Sequence, residues 1–300
     1  MNLHSVHFEL SKLADGVYAA IATESGGSVG NAGFVDLGDQ TIVFDTFNTQ
    51  QAAEELKKLA ESLTGNSVST VINSHWHGDH IRGNQVFADS IIISSHLTYN
   101  TMKKLHPERI AKQQEGLAQL EEYIQSLKQQ KDEHLNNKIS FLEHIQKSLP
   151  TLTLTLPHVT FERSFHFHGS KRSAQLITLG GGHSICDSFL YLPDDDIAFL
   201  SDLLFVNTHP SFLEESDVHH WIHMLEDIEQ LEIKQLVPGH GPIGDVENIR
   251  QVKSYIQLLT QLSETNDEVF EIPSDYAHWA SPEVFHQNMK LLMSNSLVKS

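Results

Sequence analysis

Short apolar runs rich in β-branched residues recur along the chain, and five of them stop shortly before a histidine or an aspartate. Such runs are typical of buried strands. The five are Thr41–Phe44 before Asp45, Val68–Ile72 before His75, the run that ends at Leu179 before His183, Ile197–Leu200 before Asp202, and Gln235–Val237 before His240. In layered α/β folds, ligands bind beyond the carboxyl ends of strands, where loops converge. The pattern therefore predicts one pocket shared by all five strand ends.

Between these strands, apolar residues at a spacing of three and four predict helices. The predicted helices are Thr49–Ser62, Asp217–Leu231, Val246–Leu262 and Ser281–Met293. Asp217 is placed to cap the second helix, and the Ser281-Pro282 pair is typical of a helix start. The length suits one large domain. We therefore expect a single α/β domain over residues 1–300, with C-terminal helices at about 246–300.

A segment of different composition, residues 102–149, interrupts this alternation. It is rich in glutamine, lysine and glutamate, and it carries two apolar stripes at helical spacing. The stripes predict a helical hairpin inserted between strands. Two roles stay open for it. Amphipathic stripes usually mark burial, which favours packing or a homodimer interface, whereas long insertions in α/β enzymes often line the site, which favours a lid or a wall for the substrate.

Composition and charge narrow the function classes. The chain has 20 lysines and arginines against 39 aspartates and glutamates, a net charge of −19 with neutral histidines. This charge opposes non-specific binding to nucleic acid or to an anionic membrane face. Cys186 is the only cysteine, and residues 1–18 show no basic stretch followed by an apolar core. We therefore expect a cytoplasmic protein that acts on a small molecule, with no nucleic-acid or membrane partner.

Titratable side chains are most crowded in the stretch NSHWHGDH, which directly follows the second of the five predicted strands. An extended backbone would place His75, His77 and Asp79 on one side, and a turn after them would bring His80 alongside. Neutral imidazole and carboxylate are ligands that zinc accepts, and a catalytic zinc needs about three protein donors and an open position. This short loop alone therefore offers donors to two metal ions.

The other strand ends complete this set. With His183, Asp202 and His240, the chain offers each of two divalent ions three ligands of its own and one shared carboxylate. Two ligand carboxylates against two divalent cations leave the cluster cationic, which suits a bound hydroxide and a developing oxyanion. We expect zinc, while Mn²⁺ and Fe²⁺ accept the same donors.

These residues resemble those of the metallo-β-lactamase-fold hydrolases, whose HxHxDH signature stands here as His75-Trp76-His77-Gly78-Asp79-His80. Later motifs of that family follow in order: Asp45 at the end of an early strand, His183 in GGGHS, Asp202, and His240 in PGHG. The resemblance covers about residues 14–262. It implies a four-layer αββα sandwich with the metals at one edge.

The resemblance also implies a role for each residue. His75, His77 and His183 would bind the first metal, Asp79, His80 and His240 would bind the second, and Asp202 would bridge them. Asp45 would orient the ligands, and Asp187 would make local hydrogen bonds. In the implied reaction, Asp79 or Asp202 would hold the attacking hydroxide and take its proton. His209, which follows Asp202 along the chain, is a further candidate for contact with the substrate.

Acyl hydrolysis of a small ester, lactone, thioester or lactam is the function we expect, because the chain is acidic and its ligand set is complete. Phosphodiester hydrolysis is the alternative, and a non-hydrolytic, iron-dependent member of the fold ranks below both. Quorum-quenching lactonases of the family typically carry a tyrosine three residues after the bridging aspartate. Phe205 stands there in this chain, so a phenol would not assist at that point.

Overall fold

Two β-sheets form the middle of the fold, and each comes from one continuous part of the chain. The computed structural model describes residues 5–265 and 270–298. The first sheet contains β1 (Phe8–Ala14), β2 (Val17–Ala22), β3 (Ala32–Asp36), β4 (Thr41–Phe44), β5 (Val68–Ile72), β6 (Ile91–Ser95) and β7 (Val159–Phe161). The second contains β8 (Ser164–His168), β9 (Ser173–Gly180), β10 (Asp187–Leu192), β11 (Ile197–Phe205) and β12 (Gln235–His240).

Both sheets are mixed, and their parallel strands explain where the polar residues collect. Strands β1 to β4 pair antiparallel, whereas β4, β5, β6 and β7 run parallel. In the second sheet, β8 to β11 pair antiparallel and β12 runs parallel to β11. Parallel strands bring their carboxyl ends to one edge of a sheet. The ends of β4 and β5 therefore lie together, as do those of β11 and β12.

Helices cover the outer faces of the two sheets, and other helices form the insertion and one turn of the histidine-rich loop. They are α1 (Gln50–Thr64), α2 (Gly78–Ile81), α3 (His96–Glu115), α4 (Leu117–Gln129), α5 (Asn136–Ser148), α6 (Val218–Glu229), α7 (Val246–Ser263) and α8 (Pro282–Val298). The apolar face of α1 packs on the first sheet through Leu56 and its neighbours. Helices α6, α7 and α8 pack on the second sheet, with Trp221 fully buried among them.

The two sheets face each other across a third apolar core. Phe44 of β4 and Phe199 of β11 meet there with ring centroids 5.7 Å apart, and neither side chain is more than 2% exposed. The layers are therefore helix, sheet, sheet and helix, which confirms the predicted αββα sandwich. The predicted cap is also confirmed, because the Asp217 side chain accepts a hydrogen bond from the backbone N–H of His220, 2.9 Å away.

The helical insertion is present, but it is longer than the pattern indicated. It begins at His96 rather than at about 102, and its first apolar stripe covers two helices, which separate at Gly116. Helices α4 and α5 pack against each other as the predicted hairpin, with a salt bridge between Lys128 and Glu143. Glycine costs about 1 kcal/mol relative to alanine inside a helix, which explains why the break falls at residue 116.

The insertion packs against the domain that carries it. Met102 of α3 is fully buried against Trp76 and Ile81. From α5, the Ser140 hydroxyl donates to the backbone oxygen of Ser25, 2.9 Å away. Residues of the apolar stripes also pack within the chain: Ile110, Leu117, Leu120 and Ile145 form one apolar cluster with Leu149 and Leu152. In the described residues, no helix is both long and apolar enough to cross a membrane.

Candidate metal centre

The histidine-rich loop does not stay extended as far as the sequence suggested. The backbone is extended only through His77, which occupies the N-cap position of the one-turn helix α2. The extended part brings His75 Nε2 to 2.8 Å from His77 Nδ1. The helical turn from Gly78 then places the donor atoms of Asp79 and His80 in a separate group with that of His240. Asp79 therefore belongs with His80. The prediction that residues 75, 77 and 79 lie on one side of an extended backbone was wrong.

One group of donors joins the first half of this loop to the second sheet. It consists of His75, His77, His183 and Asp202, whose donor atoms all lie within 4.8 Å of one another. His183 Nε2 lies 3.1 Å from His77 Nδ1 and 3.1 Å from Asp202 Oδ2. Three imidazole nitrogens and one carboxylate oxygen thus converge on one point.

A second group of donors lies on the other side of Asp202. It consists of Asp79, His80 and His240, again with donor atoms within 4.8 Å of one another. Asp79 Oδ2 lies 3.5 Å from His80 Nε2 and 3.4 Å from His240 Nε2. Asp202 Oδ1 approaches the same two nitrogens, at 3.1 and 3.4 Å. One oxygen of Asp202 therefore faces each group.

The chemistry of these atoms is that of a site for two divalent cations. His80 Nε2 and Asp202 Oδ1 are buried, and neither has a hydrogen-bond partner among the described residues. Leaving such atoms without a partner costs free energy, and a cation between them would remove that cost. Neutral histidine and carboxylate are the donors that zinc prefers, and manganese and ferrous iron accept them too. The residues present therefore suit a dinuclear metal centre.

Close backbone approach at a glycine allows the shared carboxylate to sit where it does. A Cβ atom added at Gly239, in the PGHG turn, would lie 1.8 Å from Asp202 Oδ1. No larger residue can occupy this position without displacing Asp202. Asp202 itself lies within β11 rather than after it, because β11 continues to Phe205 past an irregularity at Ser201.

Asp45 holds His80 from behind. Its Oδ2 atom lies 2.8 Å from His80 Nδ1, and it is also within 2.9 Å of the hydroxyls of Ser74 and Ser201. Its Oδ1 atom accepts a hydrogen bond from the backbone N–H of Ser74, 2.8 Å away. A carboxylate at Nδ1 keeps the proton on that nitrogen, so the lone pair of His80 Nε2 points into the site. Asp45 has φ 60°, a left-handed turn that aims its side chain at the loop.

Other histidines of the two donor groups are held in the same way at the nitrogen that faces away from the site. His183 Nδ1 donates to the backbone oxygen of Ser211, 3.0 Å away, and His75 Nδ1 lies 2.9 Å from the hydroxyl of Ser74. His77 is oriented by Glu215, whose Oε1 lies 3.4 Å from Nε2. Sequence reasoning missed Glu215, because it comes from a loop without a motif and reaches the site only through the fold.

The two remaining candidates, Asp187 and His209, lie in different surroundings. Asp187 accepts hydrogen bonds from the backbone N–H groups of Gly182 and Ser184, at 2.8 and 3.0 Å from Oδ2, and so holds the turn that presents His183. His209 does not line the metal cavity. It is 1% exposed, and its Nδ1 lies 2.9 Å from the Tyr255 hydroxyl. Its neighbours include the rings of Trp279 and Phe285, so the chain turns it into the helical layer rather than towards the metals.

Charges within the centre perturb one another. Burial and the adjacent imidazoles of His77 and His80 lower the pKa of His75 well below its usual value, so this ring is neutral. Burial alone would raise the pKa of Asp202, but the surrounding histidines outweigh burial and lower it. Burial lowers the pKa of His240, yet the carboxylates of Asp202 and Asp79 outweigh burial and raise it to about 9. The carboxylates therefore draw cations to this centre, either protons or metal ions.

The centre opens into a cavity of about 460 Å³. The described residues that line it are Val29, Trp76, His77, Gly78, Asp79, Arg109, His183, Asp202, Ser211, Leu213, Glu215 and His240. Arg109 comes from α3, so the insertion contributes to the wall of the cavity. Phe205 lies beneath the site, 3% exposed, with its ring stacked on His240 at 5.2 Å. This volume suits a small molecule.

Comparisons with known proteins agree with the geometry. The sequence model described as "Metallo-beta-lactamase superfamily" matches residues 25–240. A curated relative, "Metallo-beta-lactamase type 2" of Bacteroides fragilis, is 25% identical over 268 residues, which cover 86% of this chain and 88% of that protein. The solved metallo-beta-lactamase from Pontibacter korlensis has a TM-score of 0.63 at 18% identity and covers 84% of this chain and 99% of its own. For DIM-1 metallo-beta-lactamase the TM-score is 0.60 at 15% identity, covering 84% and 98%.

Proposed function

We propose that this chain, which belongs to the metallo-β-lactamase superfamily, hydrolyses a small acyl substrate at a centre of two divalent metal ions. The observation that carries the proposal is the shared carboxylate: each oxygen of Asp202 faces one of two complete donor groups. A structural metal site would close around its ion, whereas this centre opens into a cavity of about 460 Å³. The ester, lactone, thioester and lactam bonds named from the sequence all suit such a centre.

Zinc ions held by these residues would supply a nucleophilic water at neutral pH and would polarise the acyl carbonyl. The chain's own residues position the reacting groups. Asp79 and Asp202 stay ionised because the neighbouring imidazoles lower their pKa values against the effect of burial. Each can therefore accept a hydrogen bond from the attacking water and direct its lone pair at the carbonyl carbon. Asp45 and Glu215 keep the lone pairs of His80 and His77 directed into the site.

The names of these relatives do not assign a substrate to this chain, because the sequence identity is 25% or less. A β-lactam therefore belongs in the substrate panel beside the other acyl compounds. Cytoplasmic location, a homodimer and the absence of a nucleic-acid partner stay predictions of the sequence. The net charge of −19 supports the last of them, because it disfavours a polyanionic partner.

The test measures proton release by zinc-loaded protein on matched panels of aryl esters, lactones, thioesters and β-lactams. A chelator-stripped sample and the variant Asp202→Asn serve as negative controls. Asp227→Asn, an exposed position on α6, removes the same charge outside the centre. We expect turnover that both the chelator and Asp202→Asn abolish and that Asp227→Asn leaves intact.

Absence of turnover on every acyl compound by protein carrying two metal ions would contradict the proposal. A phosphodiester, bis(4-nitrophenyl) phosphate, is included because phosphodiester hydrolysis is the alternative. Chelator-sensitive cleavage of that compound alone would establish the alternative.

A further inference from the structure

Resting on the proposed function, we infer that Arg109 binds an anionic group of the substrate, a carboxylate or a phosphate, while the acyl bond lies at the metal centre. Arg109 belongs to α3, the first helix of the insertion, and it lines the same cavity as His77 and Asp79. This inference narrows the substrate class to acyl compounds that also carry a negatively charged group. The insertion then acts as a wall that selects the substrate.

Two contacts fix Arg109 at the edge of the metal loop. Its guanidinium lies over the ring of Trp76, 4.4 Å from the centroid, and the Trp76 ring in turn lies 4.6 Å from the ring of the ligand His77. One turn earlier on α3, His106 Nε2 donates to the backbone oxygen of Trp76, 2.6 Å away. Trp76 is 3% exposed, so it is a rigid platform. Arg109 is therefore held at a defined place beside the metal ligands.

The hydrogen-bonding capacity of Arg109 is unused. The contact with Trp76 places the guanidinium carbon over the ring, and a guanidinium has five N–H donors available for hydrogen bonds. Within the described part of the chain, no hydrogen bond or ion pair joins Arg109 to another residue, and the side chain is exposed. The planar fork matches a carboxylate or a phosphate with two parallel hydrogen bonds. An anion entering the cavity meets these donors without displacing a partner.

Charge makes Arg109 distinctive in this cavity. Among the twelve described lining residues it is the single lysine or arginine, beside the carboxylates of Asp79, Asp202 and Glu215. The chain as a whole repels anions, with a net charge of −19. A second guanidinium, that of Arg82, lies nearby, but it is engaged with Asn48 Oδ1 at 2.9 Å and with Gln113 Oε1 at 2.6 Å. A free cation here gives the cavity an anion-attracting side.

The experiment compares three acetate esters of phenols that differ only in the para substituent: 4-acetoxybenzoate, 4-acetoxyphenylphosphonate and the neutral 4-acetoxybenzamide. The variants are Arg109→Gln, which removes the charge, and Arg109→Lys, which keeps the charge but loses the planar fork. Lys104→Gln is the matched control, because Lys104 is exposed on the same helix and does not line the cavity. Metal content is measured for each protein, so that a loss of metal is not mistaken for a loss of binding.

We expect Arg109→Gln to raise the KM of the anionic esters roughly 10- to 100-fold, as for a lost charge-assisted hydrogen-bonded pair, with kcat and metal content nearly unchanged. The neutral ester should be unaffected, and Arg109→Lys should fall between. The two anionic esters distinguish a carboxylate from a phosphate as the preferred group. An equal change for charged and neutral esters, or none, would overturn the inference and leave Arg109 a packing residue.

Failure of the proposed function is visible separately. If no ester is turned over, calorimetric titration of the metal-loaded protein with 4-hydroxybenzoate and 4-hydroxybenzamide still tests Arg109. Weaker binding of the benzoate alone in Arg109→Gln would support the anion site without hydrolysis. Unchanged binding of both compounds would overturn it.

Discussion

Replacing Asp45 by asparagine removes a buried charge without changing the shape of the side chain. The amide must put its NH2 group where one carboxylate oxygen stood. In one orientation it faces the backbone N–H of Ser74, which lies 2.8 Å from Oδ1, so two donors meet and one hydrogen bond is lost. In the other it faces His80 Nδ1, which lies 2.8 Å from Oδ2. His80 can accept from the amide only if its proton moves to Nε2, the atom that faces the metals.

The structure sets the size of both effects. Loss of one buried hydrogen bond costs about 1–3 kcal/mol of stability in the metal-free protein. Loss of the partner that orients a metal-ligating histidine weakens metal binding about 10- to 100-fold. At a fixed metal concentration, each tenfold loss of metal affinity lowers the free energy of unfolding of the metal-loaded protein by a further ~1.4 kcal/mol. Asp45→Asn should therefore destabilise the loaded protein more than the metal-free one.

The assay is chemical unfolding of both forms, combined with zinc titration against a chromophoric chelator. Asp89→Asn is the control, since Asp89 is exposed and its replacement changes the net charge equally. We expect the control to match the original protein in both measurements. Equal destabilisation of the two forms by Asp45→Asn, with zinc affinity unchanged, would refute the reasoning and reduce Asp45 to a structural residue.

Three further predictions concern neighbours of the centre. Glu215→Gln should weaken zinc binding roughly tenfold in chelator competition, because it removes the carboxylate that orients His77. Glu214→Gln is the control, and equal zinc affinities of the two variants would contradict the prediction. Gly239→Ala should lower the zinc content, measured by elemental analysis, below two ions per chain, because its Cβ would lie 1.8 Å from Asp202 Oδ1. The control Gly116→Ala should keep its zinc, because its Cβ would meet nothing closer than 3.5 Å. Burial lowers the pKa of His106 to about 4, so below pH 6.5 the unfolded chain binds a proton that the folded chain does not. Between pH 7.5 and pH 4.5, the free energy of unfolding of the metal-free protein in urea should therefore fall by roughly 2–3 kcal/mol more than that of the variant His106→Gln. The amide of this variant can still donate a hydrogen bond to Trp76. Parallel losses would contradict that prediction.

Much of this centre was predictable because its donor residues follow apolar strands in the sequence. His75, His183 and His240 come at or just after strand ends, and the sheet brings those ends together. A motif plus strand periodicity therefore indicates both the donors and their meeting place. The sandwich follows from the same alternation together with the family resemblance.

What the sequence did not reveal depends on contacts between distant segments. Glu215 and Arg109 are ordinary surface residues by pattern, and only the folded loop and α3 place them in the cavity. The one-turn helix at Gly78 is too short to show a period, so the strand pattern placed Asp79 on the same side as His75 and His77, and only the family resemblance grouped it with His80. His209 was chosen for its nearness to Asp202 in the chain, yet packing with Tyr255 decided its position.

The two sheets are consecutive along the chain, and this order sets the earliest point at which both donor groups are complete. The first sheet ends at Phe161 and the second at His240. During synthesis, the HxHxDH loop leaves the ribosome with its own sheet, long before Asp202 and His240 exist as partners. The nascent chain thus holds donors for two ions but no carboxylate to join them. The two-metal centre can therefore be completed only after β12 has been made, and the ions available from then on decide which metal the protein carries.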